Sequence, residues 1–461
     1  MAGSFTLGWS GPLPSLLPVA NEAGPDDDEG NAERAVASAS SPPPPVVQFG
    51  FGVPLNTRKE ANYFMHYIQN LGSWFDTCDP ARHFSIEVPK RAHHLPLLAY
   101  SILAYSARQV SLTTGGVDKE SHSSYYSHAL RILIPIFDNP SEALNENVLA
   151  AIVILRSYEE MFEGDVNTHL TGSSRLLNSE SEFAARGGLG EAASWVVLRQ
   201  DLYVCLTKSL PLRISLDSYR NSQAFIDASD HSIANRAVFI CGRVVAYAMG
   251  PNSSLDADVW DELDREMKRW HESTPWRFLS SDSTAIGNES DSAFPTLWMP
   301  RRVQVLGYQH YYLARIILDI FHPKLWKPSF EAFRYRAVAQ DKGRESLRIL
   351  LGLAVSNQGD ATINFTAHHT LHACKSRPPS AFPFCGGFLR DEREHQEVLE
   401  FLANMTVTMG WPTTALADKL REQWQHGKRS PGKDAISPHG EGGGRHRHQS
   451  GVQWRSLGPQ G

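Results

Sequence analysis

Residues 145–160 read NENVLAAIVILRSYEE, and this stretch decides the fold class. Its centre, Val148–Leu155, is eight consecutive apolar residues, the longest such run in the chain. A membrane-spanning helix needs about 20, so the run reads as core. Ala151, Leu155, Tyr158 and Phe162 fall at i, i+4, i+7 and i+11, the spacing of one helix face. Ser141, just after Pro140, is expected to cap this helix.

Outward from that stretch the helical period continues almost throughout. Towards the N-terminus, Thr57 is expected to cap a helix whose inner stripe is Tyr63, Ile68, Leu71 and Phe75. Leu98, Ile102, Tyr105 and Val110 form another stripe, and Tyr126, Leu130, Leu133 and Ile134 the next. Towards the C-terminus, residues Ala192–Leu206, Ile233–Tyr247 and Ala257–His271 repeat the pattern. Trp298–Phe321 is the longest strongly apolar helix candidate. Gly343–Val355, Ile363–Cys374, His395–Met409 and Thr414–Trp424 complete the set. No segment alternates cleanly between apolar and polar with hairpin turns. The reading is all-α: a single large helical domain of about a dozen helices over residues 51–426. Most aromatic residues lie on its stripes and are assigned to the core.

Disordered tails are expected on both sides of that domain. Residues 1–50 are rich in Pro, Ser, Ala and Gly, with four consecutive prolines at 42–45 and an acidic block at Asp26–Glu29. Residues 427–461 are similar, with Gly442–Gly444 and Arg445-His446-Arg447-His448. The polar stretch Ser280–Ser292 reads as an internal loop. Charge is segregated. The first 56 residues carry six acids and one base, residues 425–461 carry six bases and two acids, and the whole chain is −6. The body is therefore acidic and poorly suited to gripping phosphates over a broad face.

At 41% hydrophobic the chain has the composition of a globular protein, which excludes collagen-like, coiled-coil and wholly disordered classes. The N-terminal stretch is broken by Pro12, Pro14 and Pro18 and lacks a basic region, so it reads as a tail and not a secretory signal. The five cysteines, Cys78, Cys205, Cys241, Cys374 and Cys385, show no C-x-x-C spacing. They fit reduced, mostly buried thiols of an intracellular protein.

Candidate chemistry is sparse. Asp26-Asp27-Asp28-Glu29 resembles a magnesium-binding acidic string, but it sits in a Pro- and Gly-flanked tail and not on a helix. Gly188-x-Gly190-x-x-Ala193 fits a loose dinucleotide pattern, yet that pattern needs a preceding strand; the glycines read instead as a loop before a helix near Glu191. His368 and His372, with His369 and Cys374 beside them, could put two imidazoles on one helix face. Without an accompanying H-E-x-x-H glutamate they read as half-buried helix histidines. No G-x-S-x-G elbow and no P-loop occurs. The sequence therefore assigns no catalytic, cofactor-binding or metal-binding residue, and no cofactor. The basic pairs Lys90-Arg91 and Lys428-Arg429 are too short to argue nuclear import.

Several blocks together carry a family resemblance. They are Leu97–Arg108 (LLAYSILAYSAR), Asn145–Glu160, and Trp195–Tyr203 (WVVLRQDLY). Trp260 and Trp270 follow, with Pro275-Trp276-Arg277-Phe278, and then Gln309–Arg315 (QHYYLAR). In this order and spacing the chain resembles the regulatory, fungal-specific transcription factor domain of zinc-cluster transcription factors, from about Asn56 to Trp424. The resemblance implies a nuclear transcription regulator acting through self-association, effector sensing or contact with other regulators. Such regulators often serve a metabolic or secondary-metabolite gene cluster, so control of one is an expected role. Family members read DNA through six cysteines holding two zinc ions. Here no cysteine precedes Cys78, so DNA is expected as a partner only if an upstream zinc cluster exists. Residues 375–387 depart from the family pattern as an insertion or an unspliced intron.

Arg156, Arg199 and Arg315 each sit on an otherwise apolar helix. Each is expected to pair with a buried carboxylate or cap carbonyls, because an unpaired buried charge is costly. Glu159 and Glu160 are the acceptors within reach of Arg156. The stripes are expected to close into one solid helical mass that is touched by macromolecules, with no membrane contact. The alternative is an all-α enzyme holding an apolar substrate such as a terpenoid in a cavity ringed by ionisable groups.

Overall fold

The computed structural model describes residues 52–116, 120–137, 145–162, 174, 177–178, 181–250, 256–280, 292–325, 329–359, 361–373 and 385–428. All of them fall in one unit, within residues 48–461. Helices α1 (Arg58–His66), α2 (Val88–Ala92), α3 (Pro96–Thr113), α4 (Ser121–Phe137), α5 (Glu146–Glu160) and α6 (Gly188–Lys208) come first. Next are α7 (Asp230–Met249), α8 (Ala257–Ser273), α9 (Arg302–Ile320) and α10 (Phe330–Ser356). The last are α11 (Ala361–His372), α12 (Glu392–Met409) and α13 (Thr414–Lys428). The fold is an all-α, single helical domain. Among the described residues the one sheet is a two-residue antiparallel pair, β1 (Leu279–Ser280) with β2 (Leu297–Trp298).

Local chemistry sets the helix starts. Thr57 accepts from the Glu60 amide, and the Glu60 side chain accepts from the Thr57 amide, a reciprocal cap on α1. Asp391 and Glu394 repeat the device on α12. The cap of α5 is Asn145, which accepts from the Asn147 amide at 2.8 Å, so the helix begins later than Ser141 would place it. Ser141 itself lies outside the described residues.

Helix α6 is the axis of the core. Leu189, Val197, Leu198, Leu202, Val204 and Leu206 bury faces on every side of it, the signature of a helix enclosed by neighbours. It packs against α5, α7 and α11, and α9 packs against α7, α10 and α11. The α7–α9 crossing is close because Gly307 has no side chain. A Cβ there would stand 2.7 Å from the Trp276 ring and 3.3 Å from Ala234 Cα. Three tryptophans act as braces. Trp260 Nε1 donates to Leu318 O, Trp270 Nε1 to Ile233 O, and Trp276 Nε1 to Asp230.

Several expectations are corrected. Helix α9 starts at Arg302, and Trp298 is a half-exposed strand residue, because β2 is held by the end of α10 through Leu297 N to Ser356 Oγ at 2.9 Å. The longest described helix is α10, which begins at Phe330 and not near Gly343. Ile134 is exposed, and Ala129, Ile132 and Leu133 make the buried face of α4. Gly188 and Gly190 belong to the first turn of α6, where Gly187 and Gly188 take φ of +74° and +66°. A 3₁₀ turn at Ser181–Ala184 precedes them, so the strand that a dinucleotide fingerprint needs is not there. Helix α13 runs to Lys428. The N-terminal tail to residue 51, the acidic string, Cys374, residues 375–384 and residues 429–461 lie outside the described residues.

The α10–β2 junction supports a direct test. A Cβ on Gly352 would lie 2.3 Å from the Pro295 carbonyl oxygen. Gly352→Ala is expected to cost about 1–3 kcal/mol by overpacking, although alanine in a helix interior ordinarily gains about 1 kcal/mol over glycine. A urea midpoint at or above the wild-type value would contradict this packing.

Candidate functional site

The three helix arginines lead to the site because two are matched by carboxylates and the third is not. Arg156 on α5 is fully buried, with Nη2 3.2 Å from Glu160 Oε1 and Nη1 3.7 Å from Glu159 Oε2, one turn further along the same helix. The Tyr126 hydroxyl donates to Glu159 at 3.1 Å. Arg315 on α9 reaches across to Asp264 on α8 and along its own helix to Asp319 at 3.1 Å. Both follow the expectation of paired buried charge.

Arg199 on α6 takes the other expected course and caps a carbonyl. Its Nη2 donates to the Phe75 carbonyl at 3.2 Å, and its Nη1 has no acceptor. Among the described residues no carboxylate lies within ion-pair distance of it. Burial pulls its pKa below the ordinary arginine value. The carboxylates that act on it from further off are already engaged. Asp76 accepts from the Phe84 and Ser85 amides at 2.9 and 2.8 Å, and Asp79 accepts from His83 at 2.8 Å.

Arg199 borders an internal pocket between α3, α5, α6, α9 and α11. Helix α6 supplies Val196, Gln200 and Tyr203, α5 supplies Ser157 and Glu160, and α3 supplies Tyr105. His310 comes from α9, while Thr362, Phe365, Thr366 and His369 come from α11. Trp74, Phe75 and Trp411 close the remaining sides. The free space open to a water-sized molecule is about 80 Å³, enough for several waters or one small solute. The helical body is therefore not the solid mass expected from its stripes. Flat rings meet edge-on here, Trp74 with Tyr105 at 6.3 Å and with Phe365 at 5.5 Å. Such rings cannot fill the space around a guanidinium.

The polar groups of this pocket are few and mostly held. Gln200 Nε2 donates to Val153 O and Ser157 Oγ, leaving its Oε1 without a donor. His310 Nδ1 donates to Leu306 O at 2.9 Å, and burial, helped by the Arg199 charge, pushes its pKa down to about 4. His369 stacks on Tyr203 with ring centres 3.7 Å apart. Burial and its histidine neighbours hold it well below the usual imidazole value. Both imidazoles are neutral at pH 7, so Arg199 is the cation bordering this pocket, and among the described residues no carboxylate lies within ion-pair distance of it.

Sequence reasoning found Arg199 and expected a carboxylate or a carbonyl for it, of which the structure shows the carbonyl, and it set His369 among metal candidates without linking the two. Gln200 and His310 were visible only as polar neighbours inside apolar blocks. His368 and His372 stand with ring centres 6.5 Å apart. Among the described residues no group of three or more His, Cys, Asp or Glu could hold a metal ion. Cys78, Cys205, Cys241 and Cys385 are buried. No described helix is long and apolar enough to cross a membrane.

No curated protein and no solved structure matches the chain. One protein family does match. Residues 62–209, from within α1 to the residue after α6, fit the model of the fungal specific transcription factor domain. That stretch carries Arg156, Arg199, Gln200 and Tyr203, hence the α5–α6 side of the pocket. Over those residues the chain is similar to the fungal specific transcription factor domain family.

Proposed function

We propose that this chain is a transcription regulator acting in the nucleus through contacts with other regulators or with a second copy of itself. The observation that carries the reading is the family match across α1 to α6. It favours a non-enzymatic role, and the pocket agrees in scale. Its free space of about 80 Å³ is small beside the roughly 300–1,000 Å³ of sites that enclose drug-sized ligands. A terpenoid substrate would need a larger chamber. DNA recognition by this chain would require a zinc-cluster module acting with it. Control of a metabolic or secondary-metabolite gene cluster is the finer form of the proposal, and it rests on the family resemblance alone.

The test joins residues 1–461 to an unrelated DNA-binding module and reads a reporter behind that module's site. With the fusion confirmed in the nucleus, output is expected to rise or fall severalfold against the module alone. Unchanged output would count against a regulatory role.

A further inference from the structure

We infer that the pocket beside Arg199 binds a small organic carboxylate with a flat apolar body, whose carboxylate supplies the counter-charge that the protein withholds from this guanidinium. The first support is the charge balance. A guanidinium nitrogen held out of water is ordinarily partnered, since an unsatisfied buried polar group is costly. Arg156 and Arg315 meet carboxylates in this same fold, whereas Arg199 is half-buried and gives only its Nη2 to a partner, the Phe75 carbonyl. Its Nη1 has no protein acceptor, and a carboxylate is the group whose two oxygens match the fork of an arginine.

The surroundings narrow the class. His310 and His369 add no positive charge, so the site favours one negative charge over the nearly two of a phosphate. The walls are rings: Tyr203 stacked on His369, with Phe365 and Trp411 at 4.3 Å between centres. Flat, mostly apolar walls take a flat, apolar body. Gln200 Oε1, bordering the same space without a donor, would accept from a hydroxyl or amide on that body.

A route in is visible. Trp74, which is partly exposed, borders the pocket on one face and a larger outer groove on the other. That groove, of about 760 Å³, lies between the end of α10, α11 and α12. Among the described residues, the ring contacts of Trp74 are edge contacts to Tyr105 and Phe365. Entry past Trp74 therefore breaks no ring stack.

The test is calorimetric titration of the full chain with benzoate, with its neutral isostere benzamide, and with inorganic phosphate. Benzoate is expected to bind at least about tenfold more tightly than benzamide, a difference of about 1.4 kcal/mol, and more tightly than phosphate. Arg199→Met is expected to abolish benzoate binding. It should also leave the melting temperature of the unliganded chain equal or higher, since an unpaired charge is being removed. Equal affinities for benzoate and benzamide would overturn the inference. So would tighter binding of phosphate, no saturable benzoate binding up to about 10 mM, or benzoate affinity unchanged in Arg199→Met. Should that variant fail to fold, Arg199 is structural and the inference is lost unless the wild-type benzoate and benzamide affinities differ as stated. Binding is read on the purified chain, so its failure is separate from a failure of the reporter assay.

Discussion

Arg156→Ala is expected to lower the unfolding free energy by about 3–5 kcal/mol, the usual consequence of removing one partner from a buried ion pair. That is a large share of the roughly 5–15 kcal/mol that holds a typical domain folded. The cause lies less in the attraction lost than in what stays behind. Glu159 and Glu160 face the interior beside a fully buried Arg156. Without the guanidinium, two like charges one residue apart would have to protonate or pull towards water. The chain emerging from α5 would move with them, and α5 lines both α3 and α6. Arg156→Met combined with Glu159→Gln and Glu160→Gln should recover most of the loss, because the orphaned charges leave together. Urea unfolding of the three proteins decides the matter. A loss below about 1 kcal/mol in Arg156→Ala would place this arginine outside the buried network.

Acidification is expected to destabilise the protein between pH 7 and 5. Burial lowers the pKa of His310 to about 4 and of His368 to about 3, and holds His369 well below its ordinary value. The unfolded chain protonates these imidazoles near 6.5, whereas the folded chain refuses the proton. Stability is therefore complete above about pH 6.5 and is lost as the pH falls towards the folded values. Each fully buried histidine costs about 2 kcal/mol by pH 5. His231, His271 and His322, also lowered by burial, act in the same direction.

Some groups oppose this. Burial raises Asp201 to about 6, so the folded state takes up that proton first and gains stability as the pH falls below 6. Asp76 and Asp319, also raised by burial, act likewise, as does His83, raised by its hydrogen bond to Asp79. The net loss by pH 5 is expected to be a few kcal/mol. His368→Leu should remove about one proton from the uptake on unfolding near pH 5. Stability that is flat or rising from pH 7 to 5 would show that the histidine interior is hydrated and charged.

The legible and illegible parts of this molecule divide by distance along the chain. Caps and faces are local, so Thr57 with Glu60, and the buried faces of α3, α5 and α6, could be read from residues three or four apart. The start of α9 could not. Trp298 continues its apolar pattern, but the pairing with Leu279 and the grip of α10 take it into a strand.

The same division governs the arginines. The acceptors of Arg156 stand at i+3 and i+4, and one acceptor of Arg315 stands at i+4, all open to inspection. Around Arg199 the corresponding positions hold Trp195, Val196, Leu202 and Tyr203, with no acid among them. Asp201, two residues on, accepts from the Arg213 and Ile214 amides. That gap was the available sign that Arg199 is exceptional. Its meeting with His310 and His369 depends on tertiary packing, which no spacing rule reveals.

The placement of α6 bears on how this protein could be shortened or recombined. The family match stops one residue past its end, yet Leu198, Leu202 and Leu206 look towards segments encoded much later in the gene. A fragment severed at that border would leave an oily flank open to water and would aggregate. Inheritance of this domain by fusion or swap must therefore bring α7, α9 and α11 along, as cargo that the family signature does not declare.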